Sequence, residues 1–130
     1  MAATKSRVRV GIFGSGNFAR RTHIPNLQRL DVDLVALCDV SHDAAVAAAN
    51  EFGIPSRYTN GHEMIAAESL DVLYSCVPAY ARTDVEAAAA RAGIHLFSEK
   101  PQSTSMSIAR QIADAVEAGG ALSTVCFRER

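Results

Sequence analysis

Apolar residues in this chain fall in short unbroken runs, each followed by a stretch that suits a helix. The first run, Val8-Arg9-Val10-Gly11-Ile12-Phe13, ends in closely spaced glycines, the order of strand, tight turn and helix. The helix after it is predicted from Asn17 to about Leu30, with Pro25 either kinking it or opening a restarted segment. Leu34 to Cys38 reads as the second strand. Ser41 then caps an alanine-rich helix that Gly53, Ile54 and Pro55 stop. A short strand is expected near Arg57 and Tyr58, a turn at Asn60-Gly61, and a short helix from His62 to Ala67. Asp71 to Val77 forms the next strand and ends at Pro78. Ala81 to Ala92 is predicted helical and closed by Gly93. A strand at Ile94 to Phe97, a helix from Ser103 to Ala118 and a strand from Ala121 to Phe127 complete the pattern.

Roughly six strands thus alternate with five helices, which demands a parallel sheet covered on both faces. Continuous apolar strands suit that double burial better than alternating ones. The fold class expected is α/β, a doubly wound parallel sheet in a single domain over residues 8–130, with strand order 3-2-1-4-5-6 and the ligand at the carboxyl ends of strands one and four. Residues 1–7 read as a flexible lead-in.

With 130 residues, 48% of them hydrophobic, the chain is of one-domain size and can bury a core. Thirteen basic residues against 14 acidic ones leave no electrostatic footprint for nucleic acid. No apolar run approaches the roughly 18 residues of a membrane span, and no secretion signal is visible. Cys38, Cys76 and Cys126 lie in or beside apolar runs, so reduced thiols in a cytoplasmic setting are expected. No Cys or His pair has the spacing of a metal site.

The candidate chemistry sits at two strand ends. Gly14, Gly16 and Ala19 form G-x-G-x-x-A, the small-residue variant of the dinucleotide fingerprint. Gly14 permits the turn, Gly16 lets a diphosphate approach the backbone, and Ala19 lets the helix pack close. Asp39, ending the second strand, stands near the offset of roughly 20 residues expected of an acid that holds a ribose 2′-hydroxyl. Its other reading is a turn residue beside a helix cap. Farther on, Ser98-Glu99-Lys100-Pro101 follows a buried strand, and a lysine there can donate a hydrogen bond to a hydroxyl or carbonyl oxygen. An ordinary solvated loop with an ion pair is the other reading of that pair. His23 reads as a site residue or, preferably, as a structural histidine beside Pro25. Arg82 reads as facing an anion or, slightly preferred, as a surface residue at a helix start.

Glu99-Lys100-Pro101 resembles the E-K-P signature of the glucose-fructose oxidoreductase/inositol dehydrogenase (Gfo/Idh/MocA) family. The likeness extends through Gly11 to Gly16, Asp39, Asp71 to Tyr74 with Pro78, Ala92 to Phe97, and Phe127 with Arg130. Membership implies a Rossmann domain that binds NAD or NADP, and Asp39 favours NAD, with NADP as the alternative. On that resemblance Gly14, Ser15, Gly16, Asn17 and Phe18 hold the diphosphate and Asp39 the adenosine ribose. Val77, Pro78 and Ala79 flank the nicotinamide. Glu99 and Lys100 lie near its ribose and the substrate, with Lys100 the catalytic-site lysine, and no metal is implied. The family often carries Pro-Asn and then a histidine after the fourth strand; here the residues are Pro78-Ala79-Tyr80-Ala81-Arg82-Thr83.

The function expected is the cofactor half of an oxidoreductase acting on a sugar, polyol or related hydroxy compound. It should be inactive without the larger substrate domain that the family implies, and self-association through apolar surface near residues 94–127 is expected. The alternatives are a non-enzymatic NAD(P)-binding module serving regulation or partner binding, and a methyltransferase-like fold with another adenosine ligand, which the E-K-P match opposes.

Overall fold

A computed structural model describes residues 6–127. Six parallel strands form one sheet: β1 (Val8–Phe13), β2 (Val32–Cys38), β3 (Ser56–Tyr58), β4 (Val72–Ser75), β5 (His95–Glu99) and β6 (Ser123–Cys126). Their order is β3-β2-β1-β4-β5-β6, as the alternation requires. The chain reverses its direction of winding between β1 and β4, and that is where a crevice opens at the carboxyl edge. The helices are α1 (Ile24–Gln28), α2 (His42–Phe52), α3 (Gly61–Ala67), α4 (Val85–Arg91) and α5 (Met106–Gly119).

The two faces of the sheet carry two separate cores. Val10, Ile12 and Leu37 pack against Ile24 and Leu27 of α1 and Ala45, Ala48 and Ala49 of α2. Val35, Leu73 and Leu96 pack on the other face with Met64 of α3, Ala87, Ala89 and Ala90 of α4, and Ile112 and Ala115 of α5. Ile12, Leu37 and Leu73 have no exposed surface. Removing a side chain of this size from water is worth about 1.5–3 kcal/mol, so the strand interiors anchor the site above them. The alanine stripes of α2 and α4 let those helices lie close to their neighbours.

Several boundaries differ from the sequence reading, each for a local reason. The first helix begins at Asn17, widens into a π-helical turn at Ala19–His23, and restarts as α1 with Pro25 in its opening turn. Ile24 N–H donates to the Ala19 carbonyl across the wide turn. Pro25 has no N–H to contribute, and at the start of a helix none is needed. Asn60 is the N-cap of α3 rather than part of a free turn, its Oδ1 accepting from the N–H groups of His62 and Glu63. The helix expected from Ala81 opens only at Val85, after a 3₁₀ turn at Ala79–Ala81 and a short extended link. Ser41 and Gly53 bracket α2 as expected, with Gly53 left-handed at φ 67°.

Arg7 is tied to the sheet, donating to the Val32 carbonyl at 2.8 Å and pairing with Asp31 and Asp33. The rest of the expected lead-in from Met1 to Lys5, and Arg130, lie outside the described residues. No described helix is long and apolar enough to cross a membrane.

Candidate active site

Strand register builds the site. Phe13 is level with Cys38 on one side and Ser75 on the other, and Ser75 is level with Ser98. The next residue of each strand therefore emerges in one row at the carboxyl edge: Gly14, Asp39, Cys76 and Glu99. Residues distant in sequence meet there because four parallel strands end together.

Gly14 turns out of β1 with φ 98°, a conformation that favours glycine. A side chain here would also lie 2.8 Å from the Val77 backbone nitrogen, so the turns after β1 and β4 touch across this residue. A Cβ at Gly16 meets nothing within 4 Å. The two glycines thus do different work: one closes the floor between two turns, the other leaves space above it. The helix starting at Asn17 presents the positive end of its dipole to that space, which suits an anion.

A cleft of about 980 Å³ runs across this edge. Its walls include Gly14, Gly16, Asn17, Phe18, Asp39, Val77, Pro78, Glu99 and Lys100. Two other residues of the sequence reading stand behind the wall. Ser15 is buried and turned to Asp39, and Ala79 lies in the 3₁₀ turn next to the wall residues Pro78 and Tyr80. Phe13, Val40, Tyr80 and Phe127 also line the cleft, where the sequence alone had assigned them no role.

Asp39 is held rigidly. Its Oδ2 accepts from the Ser15 N–H at 3.0 Å and the Ser15 hydroxyl at 2.8 Å, and its Oδ1 from the Ser41 N–H at 2.9 Å. Burial pushes its carboxyl up, but the donors at Ser41 and Ser15 outweigh this and hold it below the usual carboxylate range. Asp39 is therefore a fixed negative charge on the cleft wall. Ser15 contributes by aiming Asp39, and its N–H is already committed to that task.

At the far end, Glu99 Oε1 lies 2.6 Å from His23 Nε2, and Glu99 Oε2 accepts the Lys100 N–H at 3.1 Å. His23 is buried, edge-on to Phe18, Tyr74 and Phe97. The preference for a structural histidine meets a more specific role: His23 is structural, and what it supports is a wall residue of the cleft. Lys100 is exposed on the cleft side, with a cis peptide to Pro101. Its ammonium carries donors and no acceptor, so it can bond a substrate oxygen.

Arg82 corrects the surface reading. It is 4% exposed, and its guanidinium faces backbone carbonyls rather than solvent or the cleft. Cys76 lines the cleft, but burial, with Glu99 adding to it, pushes the thiol up to about 12, so it offers no thiolate nucleophile at neutral pH. Cys38 is buried and, like Cys76, carries a free thiol. Among the described residues no group of His, Cys, Asp or Glu could hold a metal ion.

The open space at Gly16, the helix start and the fixed Asp39 lie along one cleft, an arrangement that suits a dinucleotide. Residues 8–127 match the family model described as "Oxidoreductase family, NAD-binding Rossmann fold". D-glucoside 3-dehydrogenase of Escherichia coli K12 is 32% identical over 130 residues, covering 99% of this chain and 37% of that protein. A D-xylose 1-dehydrogenase (NADP(+)) of Haloferax volcanii is 30% identical over 120 residues, 92% of this chain and 37% of the relative. The WlbA dehydrogenase of Bordetella pertussis, solved with NADH and UDP-GlcNAcA, superposes with a TM-score of 0.84 at 25% identity over 93% of this chain and 37% of that one. The chain spans about a third of the length of the relatives it matches.

Proposed function

The chain belongs to the Gfo/Idh/MocA oxidoreductase family as an NAD-binding Rossmann domain, and from that premise we propose that its cleft holds NAD(H) for hydride exchange with a sugar, polyol or related hydroxy compound. The diphosphate lies over Gly14, Gly16, Asn17 and Phe18, with Ser15 serving by orienting Asp39. Asp39 accepts hydrogen bonds from the adenosine ribose. Val77, Pro78 and Ala79 flank the nicotinamide, and Glu99 and Lys100 stand at its ribose. The bound nicotinamide supplies the hydride acceptor or donor. Lys100 is the catalytic residue, its ammonium polarising the substrate carbonyl or steadying the hydroxyl as hydride moves.

The observation that carries this reading is the Asp39 carboxylate, pinned by Ser15 and Ser41 on the same wall that opens above Gly16. That fixed charge accepts from a ribose diol and repels a 2′-phosphate, so NAD is preferred to NADP. The substrate pocket is supplied by protein beyond these residues, and the domain alone turns over little or nothing. Apolar surface near residues 94–127 mediates contact with that portion or, without it, between copies of the chain. The free thiols of Cys38 and Cys76 suit a reducing, cytoplasmic setting.

Calorimetric titration of the folded chain tests the reading. NAD is expected to bind about tenfold or more tightly than NADP, because a like-charge contact is costly. Folded protein that takes up neither nucleotide overturns it.

A further inference from the structure

Arg82 is a fully charged side chain placed in the interior where a surface residue was expected. Its Nη1 donates to the Pro101 carbonyl at 2.7 Å and to the Gln102 carbonyl at 2.8 Å. Its Nη2 reaches the Val77 carbonyl at 3.4 Å. These carbonyls belong to two different loops, one after β4 and one after β5. Its own N–H closes the 3₁₀ turn on the Ala79 carbonyl at 3.3 Å.

Burying a cation costs heavily unless it is hydrogen-bonded or balanced. The three carbonyls supply bonds, and the field of Glu86 favours the guanidinium. Its Nε remains buried without a partner among the described residues. Such an arrangement persists only where the surrounding structure gains from it. The gain is visible in what the bonds join: Val77 and Pro78 on one side of the cleft's far end, and the segment that carries Lys100 on the other. A planar guanidinium can grip both strands of backbone at once, which a lysine ammonium cannot reproduce.

From this geometry we infer that Arg82 is a positioning residue, a clamp that fixes the turn after β4 against the Lys100–Gln102 segment and so sets the nicotinamide end of the cleft. The inference rests on the nicotinamide assignment made above. It makes Arg82 a structural determinant of cofactor geometry rather than an anion receptor, since its ligands are carbonyls of this chain.

The test uses the chain itself, with Arg82→Met and Arg82→Lys, and titrates NADH against ADP, which lacks the nicotinamide half. Arg82→Met is expected to weaken NADH about tenfold, the scale of lost charge-assisted hydrogen bonds, while ADP binding stays unchanged. Arg82→Lys recovers part of the loss. Amide hydrogen exchange is expected to quicken over residues 77–82 and 100–104 in both variants and not over the turn at 14–18. Equal weakening of NADH and ADP, or of neither, overturns the inference. If Arg82→Met does not fold, unchanged exchange over 100–104 in Arg82→Lys overturns it alone. Failure of the unsubstituted chain to bind either nucleotide refutes the nicotinamide reading, while the exchange measurement still decides whether the clamp exists.

Discussion

Glu86, on α4 beneath Arg82, has no exposed surface. Its Oε1 accepts from the Ser75 hydroxyl at 2.7 Å, and its Oε2 has no hydrogen-bond partner among the described residues. Burial pushes its carboxyl up, against the pull of Ser75 and the field of Arg82. A carboxyl raised in the folded state contributes stability in full below its unfolded value, and that contribution is lost as pH rises through the folded value. Near neutral pH the group is therefore a burden that the fold carries. Glu86→Gln keeps the shape and the Ser75 bond without the charge. The melting-temperature difference, variant minus native, should move in favour of glutamine by a few degrees between about pH 4 and about pH 7. A difference that does not change with pH refutes this account. Asp39 shows the opposite sign, since its donors favour the ionised form. The charge pattern of the sequence located Asp39, Glu99 and Lys100 but misread Arg82. Whether a lone arginine points outward or into a ring of carbonyls depends on loops that only the fold brings near it.

Between elements, α4 and α5 approach each other closely at Gly119. A Cβ at Gly119 would sit 1.8 Å from the Ala90 carbonyl oxygen and 3.0 Å from the Arg91 Cα. Backbone lies on both sides, so neither helix can yield by turning a side chain. Gly119→Ala should cost about 1–3 kcal/mol, the range for overpacking a tight contact, measured as a shift in the urea midpoint at constant slope. An unchanged midpoint would show that the helices can part freely. The helix expected from the sequence ended at Ala118, just before the glycine pair Gly119-Gly120. Gly120 does close α5, at φ 66°, whereas Gly119 belongs to the helix and serves the contact. The same distinction explains α3: Asn60 announced a turn, and the helix that follows uses its side chain as a cap. The π-helical turn before α1 was foreshadowed by Pro25, which signals a break without specifying its geometry.

At the scale of the whole molecule, apolar side chains remain exposed on one flank. Leu122 and Phe127, immediately before and after β6, stand at 72% and 58% exposure, and β6 forms a sheet edge. An open edge next to apolar surface invites pairing with another chain. Light scattering should show self-association that grows with concentration and weakens in Leu122→Lys; a clean monomer at every concentration removes the idea. The amino-acid order by itself determined the fold class, the strand order, the glycine turn and the acid and lysine at the strand ends. Those features are local patterns of period, size and turn chemistry, and right-handed crossovers leave few ways to assemble them. Tertiary structure alone decided that Ser15 and Ser41 pin Asp39, that His23 meets Glu99, and that Arg82 ties two loops together. Each of these joins residues that are neighbours only after four strands end level, a matter of register that no single segment encodes.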